Sequence, residues 1–288
     1  MKPAPFAYDQ PRSVEEAVGL LARYGDDAKV LAGGQSLIPL LNFRLARPER
    51  LVDINRIDEL AYIRRREESL HLGALTRMAA LERSPLVAAR WPLLVEAAHL
   101  VGHAQIRSRG TVGGSVAHAD PAAELPAALA ALRATFHVRS RRGSRTLAAD
   151  EFFVTHLTTA LAPDELLVEI AVQPLATRTG TAIVEYARVH GDFALGGAAV
   201  VLSLQEDGAC AGASIVLLAA AQAPLRASAA EESLAGAAPE GAALAAAAEL
   251  AGDEIKVSGP DAPYRRALVA ELTRRALATA AERARVTA

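Results

Sequence analysis

Two short stretches of this chain carry residue types suited to holding a phosphate-bearing ligand. Thr111-Val112-Gly113-Gly114-Ser115-Val116-Ala117-His118-Ala119-Asp120 sets a glycine pair among hydroxyl, imidazole and carboxylate side chains, and Ala32-Gly33-Gly34-Gln35-Ser36 is an earlier counterpart at the end of an apolar run. A glycine pair permits φ > 0 and leaves main-chain N–H groups uncovered by side chains, so a diphosphate or a ring edge approaches closely. Two such stretches point to one ligand gripped from two sides, with Ser36, Thr111 and Ser115 as hydroxyl donors; read singly, each is equally a tight turn. Neither is followed by Gly-Lys-Ser/Thr and neither forms GxGxxG, so a P-loop and a Rossmann fingerprint are excluded.

Other reactive side chains offer weaker patterns. Glu96, His99 and His103, followed by His118 and Asp120, raise a zinc reading, because histidines one helical turn apart share a face. The order is not His-Glu-x-x-His, and Gly102 interrupts the helix ahead of His103, so structural histidines, or His118 donating to a ligand, fit better. No Gly-x-Ser-x-Gly elbow surrounds Ser115, which weighs against Ser-His-Asp hydrolysis. Cys210, flanked by alanines, reads as a small buried hydrophobe. Glu124 opens an apolar helix, where an acid in the first turn is favourable; near the glycine stretch it is also placed to accept from a ribityl or ribose hydroxyl.

The elements that must position these residues follow from periodicity and punctuation. Ser13-Val14-Glu15-Glu16 is a capping box, Val14, Ala17, Val18 and Leu21 mark one helical face, and Gly25 is the stop. Residues 29–32 form a strand entering the first glycine pair, Ser36 caps a helix carrying Leu37, Leu40 and Leu41, and 51–54 return as a strand. Residues 1–57 therefore read as a βαβ-like unit. From Ala61 the pattern turns to paired strands, 62–64 with 70–74, followed by a helix to Leu81 capped by Thr76 and another over 92–101. Residues 104–110 lead into the central glycine loop, 121–133 form an alanine-rich helix, 135–140 and 145–147 a hairpin, and 166–172 a strand. The segment 173–180 is the domain boundary. Beyond it, strands at 182–189, 198–204 and 213–218, with an Asp207-Gly208 turn, precede three helices, the last over 263–283 with Asp261 as cap.

Composition limits the function classes. Of 288 residues, 51% are hydrophobic and 22% charged, an ordinary globular balance, and a net charge of −2 provides no positive field for nucleic acid or an anionic membrane. No run approaches the roughly 18 apolar residues of a spanning helix, and the start of the chain lacks an apolar signal core, so a cytoplasmic location is expected. Arg64-Arg65-Arg66 and the arginines around Gly143 read as solvated hairpin tips. One cysteine excludes a disulfide framework and any iron–sulfur cluster held wholly by this chain.

The combination resembles the medium, FAD-binding subunit of the molybdenum hydroxylases, the family that includes carbon monoxide dehydrogenase and xanthine dehydrogenase. The resemblance rests on Ala32-Gly33-Gly34-Gln35-Ser36-Leu37, on Ile106-Arg107-Ser108-Arg109-Gly110 leading into Thr111-Val112-Gly113-Gly114-Ser115, and on His118-Ala119-Asp120-Pro121-Ala122-Ala123-Glu124-Leu125-Pro126. Arg188 with Gly191-Asp192-Phe193-Ala194 and the terminal Tyr264-Arg265-Arg266 extend it over essentially the whole chain. It implies an α+β fold: a two-part FAD-binding domain of the vanillyl-alcohol-oxidase (PCMH) type over 1–57 and 58–174, then a C-terminal domain over 175–288 made of a small antiparallel sheet with helices.

By the same resemblance, residues 32–36 and 110–115 cradle the FAD diphosphate, Lys29, Leu31, Leu37, Ala104, Ile106, Ala117, His118 and Asp120 flank the cofactor, and Glu124 faces its ribityl or ribose side. Main chain at Leu166 and Leu167 lies by the flavin ring, and Phe193, here without a hydroxyl, matches an aromatic set against it. Arg107 or Arg109 is expected at the flavin or a subunit junction. The implied partners are a large subunit whose molybdopterin hydroxylates the substrate and a small subunit with two [2Fe-2S] clusters, assembled as a dimer of heterotrimers. Electrons reach FAD singly and leave to an external acceptor. A free-standing flavin oxidase and a scaffold subunit with degenerate loops are the other readings; the first calls for a deep apolar pocket with a base at the flavin.

Overall fold

A computed structural model describes residues 2–286. The chain begins with a parallel sheet built by short crossovers. Strand β1 (Ala7–Asp9) is followed by helix α1 (Val14–Tyr24), β2 (Ala28–Leu31), α2 (Leu37–Asn42) and β3 (Arg50–Asp53), with β3 in the middle of a β1-β3-β2 sheet. Helix α1 forms as its sequence predicts: Ser13 Oγ accepts from the Glu16 N–H at 3.1 Å, Val14, Ala17, Val18 and Leu21 are buried, and Gly25 takes φ 51° at the end. The reciprocal half of the capping box is displaced, because the Glu16 carboxylate accepts from the Arg12 N–H at 2.7 Å and not from Ser13. Ser36 makes no capping bond to α2.

The second sheet is antiparallel throughout. Strands β4 (Ile63–Arg66) and β5 (Ser69–Gly73) form a hairpin, and six short helices intervene before the sheet resumes. These are α3 (Met78–Glu82), α4 (Pro85–Arg90), α5 (Pro92–Leu100), α6 (Ala104–Arg109), α7 (Val112–His118) and α8 (Glu124–Ala131). Then come β6 (Thr135–Ser140), β7 (Gly143–Ala148), α9 (Ala149–Phe152), the ribbon β8 (Phe153–Thr155) with β9 (Thr158–Thr159), and β10 (Leu166–Val172), in the order β4-β5-β10-β6-β7 for the main sheet. Several expected boundaries move for local reasons. Thr76 caps nothing: its hydroxyl donates to the Tyr62 carbonyl at 2.6 Å and α3 starts two residues later. Residues 104–109, the approach to the central glycine stretch, are helical, and α8 starts only at Glu124 because the Asp120 carboxylate takes the Ala122 N–H at 2.8 Å and holds a turn.

The third sheet, β11 (Thr179–Tyr186), β12 (Gly196–Leu204), β13 (Cys210–Leu218) and the short β14 (Leu225–Arg226), is antiparallel and ordered as numbered. β11 begins inside the expected boundary segment and ends before Val189. Helices α10 (Ser228–Leu234), α11 (Gly241–Glu254) and α12 (Ala262–Val286) cover one face, where α12 lies so close that a Cβ at Gly180 would meet the Ala284 nitrogen at 2.5 Å. The strands alternate with period two. Ala182, Ala198, Val200, Ile215 and Leu217 face the helices, while Ile183, Ala199, Val216 and Leu218 join the core that surrounds Trp91, Phe136 and α8. Cys210 is buried on β13, and burial pushes its thiol up from the usual range.

Candidate functional site

The first glycine stretch leaves the carboxyl end of β2 and turns through Gly34, whose φ of 74° only glycine adopts without strain. Among the described residues, the N–H groups of Gly33, Gly34, Gln35 and Ser36 have no acceptor, and Gln35 folds back to donate from Nε2 to the Gly33 carbonyl at 3.0 Å. Four successive free donors thus stand at the carboxyl end of the parallel strands, a run of a kind that suits an anion.

The second stretch differs from expectation. Gly113 and Gly114 lie within helix α7, at helical φ, and their N–H groups are engaged. Thr111 caps the helix, its Oγ1 accepting from the Gly114 N–H at 3.1 Å, and a Cβ on Gly114 would sit 2.6 Å from that oxygen. The Gly113 N–H donates to the Ala74 carbonyl at 2.9 Å, and a Cβ there would meet Ala74 Cβ at 2.6 Å. These glycines therefore permit close packing of α7 on the end of β5. Thr111→Ala is expected to destabilise the chain by about 1 kcal/mol, read as the midpoint of urea unfolding; a midpoint equal to the wild type's would show that the cap contributes nothing.

The two stretches meet. A Cβ on Gly33 would lie 2.5 Å from the Arg109 carbonyl oxygen and 2.8 Å from Gly110 Cα. Only a residue without a side chain lets these main chains touch, and the contact sets the free N–H groups of 33–36 beside α7. Of the expected flanking residues, Lys29 and Leu31 stand on β2, Leu37 opens α2, Ala104 and Ile106 lie on α6, and Ala117 is exposed on α7.

Two acidic groups, on α8 and β11, are buried near each other. Glu124, 8% exposed at the first position of α8, is not the favourable first-turn anion that its position suggests: burial, with Glu185 and Asp120 nearby, pushes its carboxyl up to about 8. Glu185 on β11 is raised to about 7 by burial, and its Oε2 has no hydrogen-bond partner. His118 ends α7 half-buried, and desolvation lowers its pKa. Leu166 and Leu167, adjacent on β10, point to opposite sides, into the core of the N-terminal unit and that of the second sheet respectively. Phe193 is 67% exposed on the β11–β12 connection, where Gly191 packs onto His103.

The residues that raised a zinc reading separate. His99 Nδ1 pairs with Glu82 at 2.9 Å, Glu96 accepts from Arg283 at 2.6 Å, and the His103 ring lies tilted by 50° to that of His190, centroids 5.7 Å apart. Among the described residues no group of three or more potential ligands forms. Arg107 is turned inward, donating to Glu82 at 2.9 Å and to the Val101 and Gly102 carbonyls at 3.1 Å. Two residues without a signal in the sequence do bear on the site. Arg77 donates to the Arg109 carbonyl and, at 2.8 Å, to Asn55 Oδ1; Asn55 Nδ2 donates to the Ala32 carbonyl at 2.7 Å. The one available cue was the place of Asn55, just past the carboxyl end of a parallel strand, where ligands gather.

Known proteins share this architecture. The family described as FAD binding domain in molybdopterin dehydrogenase matches residues 4–174, and the CO dehydrogenase flavoprotein C-terminal domain matches 182–280. The chain is 45% identical to the 6-hydroxypseudooxynicotine dehydrogenase complex subunit alpha of Paenarthrobacter nicotinovorans, covering 100% of this chain and 98% of that one. It is 41% identical to the carbon monoxide dehydrogenase medium chain of Hydrogenophaga pseudoflava, over 96% and 97%. A solved structure of carbon monoxide dehydrogenase from that organism superposes with a TM-score of 0.95 at 43% identity, covering 98% of this chain and 99% of that one. Quinoline 2-oxidoreductase from Pseudomonas putida 86 gives 0.92 at 37%, covering 99% of each.

Proposed function

Because the chain belongs to the FAD-binding medium subunits of the molybdenum hydroxylases, we propose that its residues 33–36, with Gly110 and Ser115 opposite, hold the diphosphate of FAD in an electron-transfer subunit. The run of four free N–H groups closed against Gly110 carries this reading: it is a cradle that a Cβ would fill, and donors without acceptors suit an anion. FAD supplies the link between one-electron delivery from iron–sulfur centres and transfer to an outside acceptor.

The chain's own contribution is positional. The Gly33–Gly110 contact fixes the gap between the cofactor's two walls, the hydroxyls of Ser36 and Ser115 add donors, and Glu124, held neutral by burial, faces the ribityl or ribose side. Leu166 and Leu167 anchor β10 in two cores and so hold its main chain rigid for the ring. The complete subunit works beside a large molybdopterin-binding and a small iron–sulfur subunit, and full-length matches to subunits of such complexes favour neither a free-standing oxidase nor a degenerate scaffold. We further infer domain limits at 57 and 174, a dimer of heterotrimers, and a cytoplasmic location in keeping with one buried cysteine. No helix among the described residues is long and apolar enough to cross a membrane.

The test is to co-express the chain with its partner subunits, purify the assembly, release small molecules by heat and identify them by absorbance and mass. Stoichiometric FAD is expected. An intact assembly free of flavin would overturn the reading.

A further inference from the structure

The two walls of the cradle come from segments more than seventy residues apart, and one side chain reaches both. Arg77, half-buried ahead of α3, has its main chain bridged to Thr111, while the neighbouring Met78 N–H donates to the Gly110 carbonyl at 3.0 Å and the Val112 N–H to the Thr76 carbonyl at 2.9 Å. Its guanidinium then forks. Nη1 donates to the Arg109 carbonyl, and Nη2 donates at 2.8 Å to Asn55 Oδ1, whose amide passes the tie to the Ala32 carbonyl at 2.7 Å. Asn55 is itself fixed: Nδ2 also donates to Asp53 Oδ1 at 2.6 Å, and Asp53 Oδ2 accepts from Tyr8.

The two carbonyls at the ends of this chain belong to the residues immediately before Gly33 and Gly110. In a planar trans peptide the C=O of one residue and the N–H of the next point in opposite directions. Drawing the Ala32 oxygen back onto Asn55 therefore turns the Gly33 N–H away from Asn55 and into the open run of donors. Drawing the Arg109 oxygen onto Arg77 holds the opposite wall at the distance where Gly33 and Gly110 touch. Burial and the charge of Arg109 both disfavour the Arg77 cation, a cost that an anion seated on the other side of these peptides offsets.

We propose that Arg77 and Asn55 are positioning residues for FAD: the Arg77 fork and the Asn55 amide tie the two glycine segments into one cradle and aim the Gly33 N–H at the diphosphate. This rests on the proposed cofactor site. Arginine is specific here because a planar fork makes two directed bonds where an ammonium makes a point contact.

The test compares Arg77→Gln, Arg77→Lys and Asn55→Ala in the full chain, reading FAD affinity by flavin fluorescence titration, the visible circular dichroism of bound flavin, and the unfolding midpoint of the FAD-free chain. Loss of a bond within this half-buried tie is expected to weaken FAD binding about tenfold or more in Arg77→Gln and Asn55→Ala. Arg77→Lys is expected to fall between these and the wild type, with an altered flavin dichroism and an almost unchanged FAD-free midpoint. The double variant, Arg77→Gln with Asn55→Ala, should lose little more than either single one, because both act through one chain of bonds. FAD affinity equal to the wild type's in all variants, or a loss that only tracks a fall in the FAD-free midpoint, would overturn the proposal. Should Arg77→Gln fail to fold, Asn55→Ala, which leaves the Arg77 tie to Arg109 intact, still decides it. A wild-type chain that takes up no FAD refutes the cofactor site itself, a result distinct from wild-type uptake with indifferent variants.

Discussion

Gly33→Ala is expected to cost the chain its FAD before it costs the chain its fold. The added methyl group would lie 2.5 Å from the Arg109 oxygen and 2.8 Å from Gly110 Cα, both main-chain atoms that cannot rotate aside. The φ of Gly33 is not positive, so the substitution adds no backbone strain of its own and its effect is purely one of separation. Forcing a methyl into such a contact costs about 1–3 kcal/mol, and the chain relieves it by parting the two segments, the one distortion a two-walled cradle cannot absorb. FAD per chain after gel filtration should fall to a small fraction of the wild type's, with far-ultraviolet circular dichroism unchanged. Gly34→Ala is the informative neighbour. Its φ of 74° costs about 1–2 kcal/mol for an L-residue, yet its Cβ would meet only the flexible ends of Ile38 and Leu31 at 3.1 and 3.3 Å, so the cradle keeps its width and more of its FAD. Full FAD content in Gly33→Ala would show that the Gly33–Gly110 contact does not set the site.

The second large effect concerns acidity. Glu124 binds its proton up to about pH 8 in the folded chain and Glu185 up to about 7, against an ordinary carboxyl value of 4.5. Between 4.5 and these values the folded chain holds protons that the unfolded chain has lost. Stability of the FAD-free chain therefore falls as pH rises through that window, and a buried group contributes a slope of up to about 1.4 kcal/mol per pH unit. Glu124→Gln carries no proton to lose. Its urea midpoint is expected to match the wild type's near pH 5 and to exceed it progressively towards pH 8, with Glu185 still supplying a shallower decline up to about 7. Parallel curves for the two proteins across that range would show that Glu124 ionises as freely in the fold as in water.

What the amino acids made legible, and what they did not, divides by the distance over which each feature is decided. Helix α1 could be read from Ser13, Glu16, Gly25 and the apolar spacing between them, because every determinant lies within one short segment. The Asp207-Gly208 turn and the strand over 166–172 were equally local. Gly113 and Gly114 misled, since a glycine pair looks the same whether it frees a loop or lets a helix press against a neighbour. Their reason, Ala74, lies almost forty residues upstream. Glu124 resembled an ordinary helix-opening acid until burial and the charge of Glu185, some sixty residues later, bore on it. Arg77 and Asn55 are common polar residues in unremarkable settings, and only the fold brings them to carbonyls that neither adjoins in sequence.

The two-faced third sheet has a consequence for how this protein is made. Helix α8 and its surroundings are synthesised well before Ile183, Ala199, Val216 and Leu218, the side chains that complete their core. While the chain is extended from residue 131 to residue 218 this apolar surface has no cover, and an uncovered apolar surface is prone to aggregate. Closure comes late and together with α10–α12, which need the opposite face of the same strands. A product that stopped at residue 174 would leave that core without Ile183, Ala199, Val216 and Leu218, so a protease should distinguish it from the finished chain by its bare apolar surface alone.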